Sequence, residues 1–481
     1  MSEVGARSIL VNTLHLAGAR GVGLALRVVY IVMLTRSLGP ELFGVFTYAQ
    51  NWYIAILPVC TLGMGVILAQ EIGRQRGQGA GVLHASLGLF MLMCGCAVLL
   101  QLGLGQVLEP PGVARDLIVL FSVALVGRGL VMWTEYVFSA YEAARNTLAQ
   151  ESLFRPLEIV LIATVLLLGG DLRALALTHG LLWWTQACRG LWLVHSRLAA
   201  LRVRLDRRSL ALFRQGVPIA VLGMFILWSL QAPMFLARHG GFAPVELGQL
   251  ALAISILLAL NTVARAFAAS ALPVLSRSVS RADDKDLDFV VLLLALLPLP
   301  GVVLVAFADQ LGPWLTSSVF GARYLHAGEW LDFTAALLVL ISIGDPLHLM
   351  LIARGRRPVV FRVTVLCFVL ELGLWKLLAL AGVDSAPVLA AVVALSVWIG
   401  LLAALSSRLF VSGMGGVLVL PLGCALGALL SYYTLRDAAP VTALLSCSSL
   451  ALFGTVAYMR QPSARIVRGM LGQLARRRSR T

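Results

Sequence analysis

Apolar runs of bilayer-crossing length recur along almost the whole chain, and they constrain its fold more than any motif does. A membrane helix needs about 20 predominantly apolar residues. Fourteen segments of that kind can be drawn, at about 8–35, 42–69, 82–105, 116–140, 153–170, 172–195, 215–237, 247–272, 289–308, 332–353, 359–382, 386–405, 416–434 and 440–459. Turn-forming punctuation separates them, as in Leu38-Gly39-Pro40, Pro110-Pro111-Gly112 and Gly169-Gly170-Asp171. Of 481 residues, 59% are apolar and only 13% are charged, about half the charge of a soluble domain. The mean hydropathy is +0.91. A soluble enzyme, a disordered chain and a secreted disulfide scaffold are all excluded. The expected fold is all-α: a polytopic integral membrane protein of about 14 transmembrane helices, with twelve as the alternative count.

Charge gives the orientation. With the N-terminus inside, 25 of the 38 Lys and Arg residues fall on cytoplasmic segments, 6 on external loops and 7 within spans. This asymmetry places both termini in the cytoplasm. It also explains the net charge of +15 without nucleic acid, because no basic run is interleaved with aromatics in a soluble module. The seven cysteines lie in apolar runs with no Cys-x-x-Cys or Cys/His spacing, so no metal or cofactor is expected. The longer basic connection, 196–214, sets Leu198, Leu201 and Leu205 at helical spacing between arginines, which predicts an amphipathic helix in the cytoplasmic interface. The tail 460–481 repeats that pattern, ending in Arg476-Arg477-Arg478, and membrane lipids are its expected contact.

An internal repeat organises the spans. The first connection reads Leu34-Thr35-Arg36-Ser37-Leu38-Gly39-Pro40-Glu41-Leu42-Phe43-Gly44. The connection after the seventh span reads Leu236-Ala237-Arg238-His239-Gly240-Gly241-Phe242-Ala243-Pro244-Val245-Glu246-Leu247-Gly248. Pro-x-x-x-Gly recurs after 204 residues and six spans. Six is even, so the halves share one orientation, as in transporters built from two parallel repeats. The expected plan is a six-helix lobe at 1–195, the basic linker 196–214, a second six-helix lobe at 215–405, two additional helices at 416–459 and the basic tail.

Charges inside spans are the functional candidates, because an Arg at the bilayer centre costs about 2.5–3.5 kcal/mol. Arg20 and Arg128 are too deep to snorkel, and Glu371 and His179 are also well inside. Arg20 and Arg27, seven apart, share one helix face, and their span holds no carboxylate. Asn261 and Arg265, four apart, form a polar face on the eighth span. Arg128 and Glu135 have the spacing of a paired network. Glu135 and Glu371 are candidates for charge pairing or coupling. His179 reads as a satisfied core residue, whereas Arg189, Arg362, Lys376, Glu135 and Glu158 could reach an interface. A cationic seam in a large transporter suits phosphate, which arginine grips through two parallel hydrogen bonds. Lipid-linked pyrophosphate fits both the charge and a lateral opening to the bilayer. The one acidic cluster, Asp283-Asp284-Lys285-Asp286-Leu287-Asp288, reads as a solvated helix start. No second cluster, phosphate loop or nucleophile elbow completes a catalytic site, so no enzyme is expected.

The stretch Arg36-x-Leu38-Gly39-Pro40-Glu41-x-Phe43-Gly44, with Leu62-Gly63-Met64 and Glu71-Ile72-Gly73-Arg74 after it, resembles the polysaccharide-biosynthesis branch of the multidrug/oligosaccharidyl-lipid/polysaccharide exporter superfamily. The resemblance implies two bundles around a central cavity. It also implies a flippase that moves an undecaprenyl-pyrophosphate-linked oligosaccharide across the cytoplasmic membrane of a bacterium by alternating access, for O-antigen, capsule or exopolysaccharide synthesis. A polysaccharide polymerase and other assembly proteins are the implied partners. In related lipid II flippases arginines of spans one, two and eight line the cavity. Arg20 and Arg27 look like the first pair, and Arg265 looks like the last. Span two departs, with no arginine and Asn51 as the nearest polar residue, which argues against lipid II itself as substrate. The alternatives are a cation-coupled multidrug exporter of the same superfamily, which generally needs buried carboxylates, and a membrane glycan-processing enzyme.

Overall fold

The computed structural model describes residues 3–74, 80–281, 297–298, 301, 304, 312–353 and 356–407. The expected spans at 416–434 and 440–459 and the tail lie outside the described residues, as does nearly all of 289–308. The chain divides into two compact units, Met1–Ala251 and Leu252–Thr481.

The first unit begins with α1 (Glu3–Thr61), α2 (Met64–Arg74), α3 (Ala80–Leu108) and α4 (Val113–Ala140). It continues with α5 (Ala144–Leu167), α6 (Leu172–Arg197), α7 (Arg207–His239) and the start of α8 (Pro244–Arg281). Two spans meet inside α1. Gly39 interrupts it with φ 70° and ψ 173°, a left-handed conformation open to glycine, and Pro40 follows without an N–H to donate. Gly63, at φ 64°, separates α1 from α2. The helix α7 bends by 50° between Arg207–Phe225 and Leu227–His239.

The core of this unit is the pair α4 and α6. A Cβ on Gly127 would sit 2.9 Å from the Trp184 amide nitrogen and 3.0 Å from the Trp183 carbonyl carbon, so α4 reaches the α6 backbone only because residue 127 has no side chain. Small residues at such crossings are the usual device for close helix packing in lipid. Leu117, Phe121, Trp133 and Phe138 of α4 are fully enclosed. The outer surface is the reverse: Leu99, Val107, Val160, Leu167, Leu181 and Trp192 are exposed. A large apolar exterior is what lipid contact requires and what water would penalise.

In the second unit, α9 (Ala327–Ala353), α10 (Arg357–Leu380) and α11 (Ala386–Ser407) follow the remainder of α8. The helix α11 packs against both α9 and α10, and Trp398 is enclosed there, donating Nε1–H to the Thr364 hydroxyl at 3.2 Å. The apolar faces of Leu366, Val369, Leu377 and Leu380 on α10 are exposed.

Six described helices are long and apolar enough to cross a membrane, or seven if the bent α7 is one span. The helices α5 and α6 are long but too polar to be counted among these spans. Glu151, Arg155 and Glu158 of α5 and His179 and Gln186 of α6 turn inward, as shown below.

The linker corrects an expectation. Residues 199–205 are not helical. They run as an extended strap along α3: the Arg204 amide donates to the His84 carbonyl at 3.2 Å, and the His84 ring lies 2.7 Å from the Ala200 carbonyl oxygen. A Cβ on Gly88 would collide with the Arg204 carbonyl. The next helix starts at Asp206, whose side chain accepts from the Arg208 and Ser209 amides while the Ser209 hydroxyl accepts from the Asp206 amide. This capping box fixes the start of α7, and the strap's tertiary hydrogen bonds outcompete local helix propensity.

Candidate functional site

The helices α5 and α6 carry matching polar stripes. Glu151, Arg155 and Glu158 stand at i, i+4 and i+7 on α5, and His179, Trp183 and Gln186 stand at the same spacing on α6. Residues so spaced share a helix face, and the two faces meet. Arg155 pairs with Glu151 at 3.2 Å and makes a short ion pair with Glu158. Its other terminal nitrogen donates to Gln186 Oε1 at 2.7 Å, and its guanidinium carbon lies 4.0 Å from the Trp183 ring centroid. Glu158, which the sequence places within reach of an interface, is therefore interior, and so is Arg155, which the charge count places on a cytoplasmic segment. A buried ion pair persists only when its remaining polar atoms are satisfied, and these largely are.

His179 joins this cluster to α1. Its Nδ1 lies 2.7 Å from Glu158 Oε1, and Trp183 Nε1 donates to its Nε2 at 3.0 Å. The indole N–H can only donate, so Nε2 is the acceptor and Nδ1 carries the proton that Glu158 accepts. The Tyr53 hydroxyl, 3.0 Å from Nε2, makes the contact with α1.

The second half of the site is looser. Arg20 lies on the first half of α1, its side chain 46% exposed, and its Nη2 is 3.9 Å from Glu135 Oε2. Arg128 Nη1 is 3.6 Å from Glu135 Oε1, and its guanidinium lies over Trp183 at 4.3 Å. The carboxylate missing from the Arg20 span thus comes from α4. Arg27 is exposed and belongs to none of the ion pairs among the described residues. Its electrostatic neighbours are Tyr53, Glu158, Tyr30 and Arg128. Arg27 thus stands among polar and charged groups of α1, α4 and α5 while keeping exposed surface of its own. Gly21, beside Arg20, has nothing within 4 Å of where a Cβ would stand, so that side of α1 faces open space. Gly23 leaves room for Glu151, whose Oε2 would be 3.2 Å from a Cβ there.

Arg20, Arg27, Arg128 and Glu135 are thus brought together. Asn51, on the second half of α1, is buried, and its amide nitrogen makes no hydrogen bond among the described residues. Asn261 is buried in the second unit, with its amide oxygen free of hydrogen bonds among the described residues. Arg265 lies on the same helix, with its side chain outside the described residues. Glu371 is fully buried on α10. Glu151, Arg155, Glu158, Trp183 and Tyr53 were not singled out as a site from sequence. The two i, i+4, i+7 polar stripes on neighbouring helices are the signal that could have found them.

The arrangement has two chemical parts. A hydrogen-bonded group around Arg155 and Glu158 holds α5 to α6 and α1. In front of it, Arg20, Arg27 and Arg128 keep donors that no hydrogen-bonded carboxylate occupies, and such donors suit an anion with several oxygens.

Comparison with known proteins agrees with the architecture. The chain shares its fold with the lipid II flippase MurJ in an inward closed conformation, at a TM-score of 0.64 and 13% identity over 94% of this chain and 99% of that one. The eukaryotic MATE transporter AtDTX14 matches at a TM-score of 0.58 and 15% identity, covering 87% of this chain and all of that one. The Vibrio cholerae MATE transporter VcmN matches at 0.58 and 14%, covering 84% and 98%. No curated protein sequence matches. The family described as "Polysaccharide biosynthesis protein" matches residues 9–279, more than half of the chain. The chain therefore belongs to the polysaccharide biosynthesis protein family and is a polytopic membrane protein that shares its fold with these transporters.

Proposed function

We propose that this protein is a flippase for a polyprenyl-pyrophosphate-linked oligosaccharide, which it carries across the cytoplasmic membrane of a bacterium by alternating access. The observation that carries the reading is Arg27: exposed, within a span, outside every described ion pair, and on one face of α1 with Arg20. Such a group is stable in a membrane only where water or an anion reaches it. Family membership supports a glycan as cargo. The fold shared with a lipid II flippase supports a lipid-linked substrate. Arg20, Arg27 and Arg128 would hold the pyrophosphate, the glycan would follow through the protein, and the polyprenyl chain would stay in lipid. Arg265 is proposed as a further phosphate contact, and Asn51 and Asn261 as polar lining.

A cation-binding multidrug reading would need a carboxylate free of arginine. Glu135, Glu151 and Glu158 of the cluster each face one. An enzymatic reading finds no support in the family or in the fold relatives, which are transporters.

The test is reconstitution in proteoliposomes that hold a fluorescent undecaprenyl-pyrophosphate oligosaccharide in the outer leaflet, with a membrane-impermeant quencher. The wild type should move label out of reach of the quencher, and Arg20→Ala should not. Movement no faster than in protein-free vesicles, or undiminished movement in Arg20→Ala, would refute the proposal.

A further inference from the structure

We propose that Glu135 is an internal counter-ion, a carboxylate that occupies the anion site in the empty protein and is displaced by the substrate's phosphate. The inference rests on the anion-binding reading above. Glu135 differs from its two acidic neighbours. Glu158 and Glu151 are tied by hydrogen bonds to His179 and Gln186 and by close pairs to Arg155. None of the hydrogen bonds among the described residues ends on Glu135. One of its oxygens faces Arg20 at 3.9 Å and the other faces Arg128 at 3.6 Å. Both separations exceed hydrogen-bond length, and Arg128 Nη1 is buried without a hydrogen-bond partner.

The carboxylate therefore bridges guanidinium groups of two helices, one oxygen to each, and the Coulomb field alone holds it. A phosphate can make the same bridge at hydrogen-bond length, with the forked donors of both arginines engaged. Access favours the exchange. Glu135 is 8% exposed and sits behind Arg20, which is 46% exposed. An anion arriving from the open side of α1 reaches the arginines first. Glu135 then repels the bound phosphate, which limits affinity and helps release. A carrier benefits from that, because a substrate held too tightly does not leave.

The probe is farnesyl diphosphate, a short polyprenyl diphosphate, titrated into the detergent-purified full chain, with farnesol as the uncharged control. Wild-type protein should bind the diphosphate. Glu135→Gln and Glu135→Ala should both bind it more tightly, by roughly fivefold, as expected on losing one ion-pair competitor. Glu135→Asp should stay within about twofold of wild type, farnesol binding should not change, and the gain in the neutral variants should fade at high salt. A purely structural role would not produce a charge-specific, salt-sensitive gain. Neutral variants that bind equally or more weakly, with binding still abolished in Arg20→Ala, would overturn the counter-ion and leave the anion site standing. Failure of folded wild-type protein to bind farnesyl diphosphate would overturn both.

Discussion

Gly44 and Gly248 meet backbone to backbone. A Cβ on Gly44 would lie 2.7 Å from the Gly248 amide nitrogen and 3.1 Å from the Pro244 carbonyl oxygen, and a Cβ on Gly248 would run into the Pro40 carbonyl. These are the equivalent glycines of the two Pro-x-x-x-Gly motifs. Each motif presents its proline carbonyl to the other's glycine, so the repeated segments cross each other, and any side chain at the crossing would separate them.

Substitution at this crossing should therefore be costly. Gly248→Val is expected to destabilise the protein by about 1–3 kcal/mol, the cost of overpacking a tight contact. Gly21→Ala, with open space around it, should leave the melting temperature unchanged or slightly raised. Thermal unfolding in detergent, followed by tryptophan fluorescence, separates the two. Equal melting temperatures for Gly248→Val and wild type would show that the crossing tolerates separation.

The Glu158–His179 pair makes a second prediction. Glu158 accepts from the His179 ring and pairs with Arg155. Glu158→Ala takes the shared partner from both, leaving a buried imidazole N–H unsatisfied and Arg155 with Glu151 as its one carboxylate beside its hydrogen bond to Gln186. The expected loss is about 3 kcal/mol, near the lower bound for breaking a buried pair because one partner survives. A double-mutant cycle with His179→Phe should give a coupling of about 1 kcal/mol or more. Additive effects would mean that the two groups do not interact.

Arg27 is expected to matter for transport rather than for folding. It is exposed and outside the ion pairs, so Arg27→Ala should express and melt like wild type while glycolipid transport falls at least about tenfold, the loss of one charge-assisted contact. Arg27→Lys should restore part of the rate, since an ammonium lacks the planar fork. Initial rates in the proteoliposome assay are the measure. Wild-type rates in Arg27→Ala would remove it from the site.

At the linker, Asp206→Ala should free the strap. The Asp206 side chain caps α7 through two backbone amides, and losing a cap costs about 1 kcal/mol. The exposed arginines at 202, 204, 207 and 208 should then be cut faster by trypsin added to inside-out vesicles. Trypsin outside intact cells should not reach them, since the charge asymmetry predicts a cytoplasmic position for this segment. Cleavage from the outside would reverse the topology.

Much of the architecture was legible because bilayer insertion is a local property. Each span advertises its own length and hydropathy, and Gly39-Pro40 marks a break through the conformations those residues allow. The break at Leu62-Gly63 falls inside the expected span 42–69 and was not legible. Arg20 and Arg128 stood out for an equally local reason: a charge far from either helix end needs an explanation wherever the neighbouring helices lie. Arg27 stood out by sharing a helix face with Arg20, and Glu135 by its spacing from Arg128. What pairs with what depends on contacts between helices, to which the sequence of a single helix is blind. Tertiary packing alone decided that Glu135 of α4 faces Arg20 of α1, that Arg155 and Glu158 turn inward to meet His179, and that residues 199–205 lie as a strap on α3 instead of coiling. In each case an electrostatic or hydrogen-bonding partner distant in sequence outweighed the local preference of the segment.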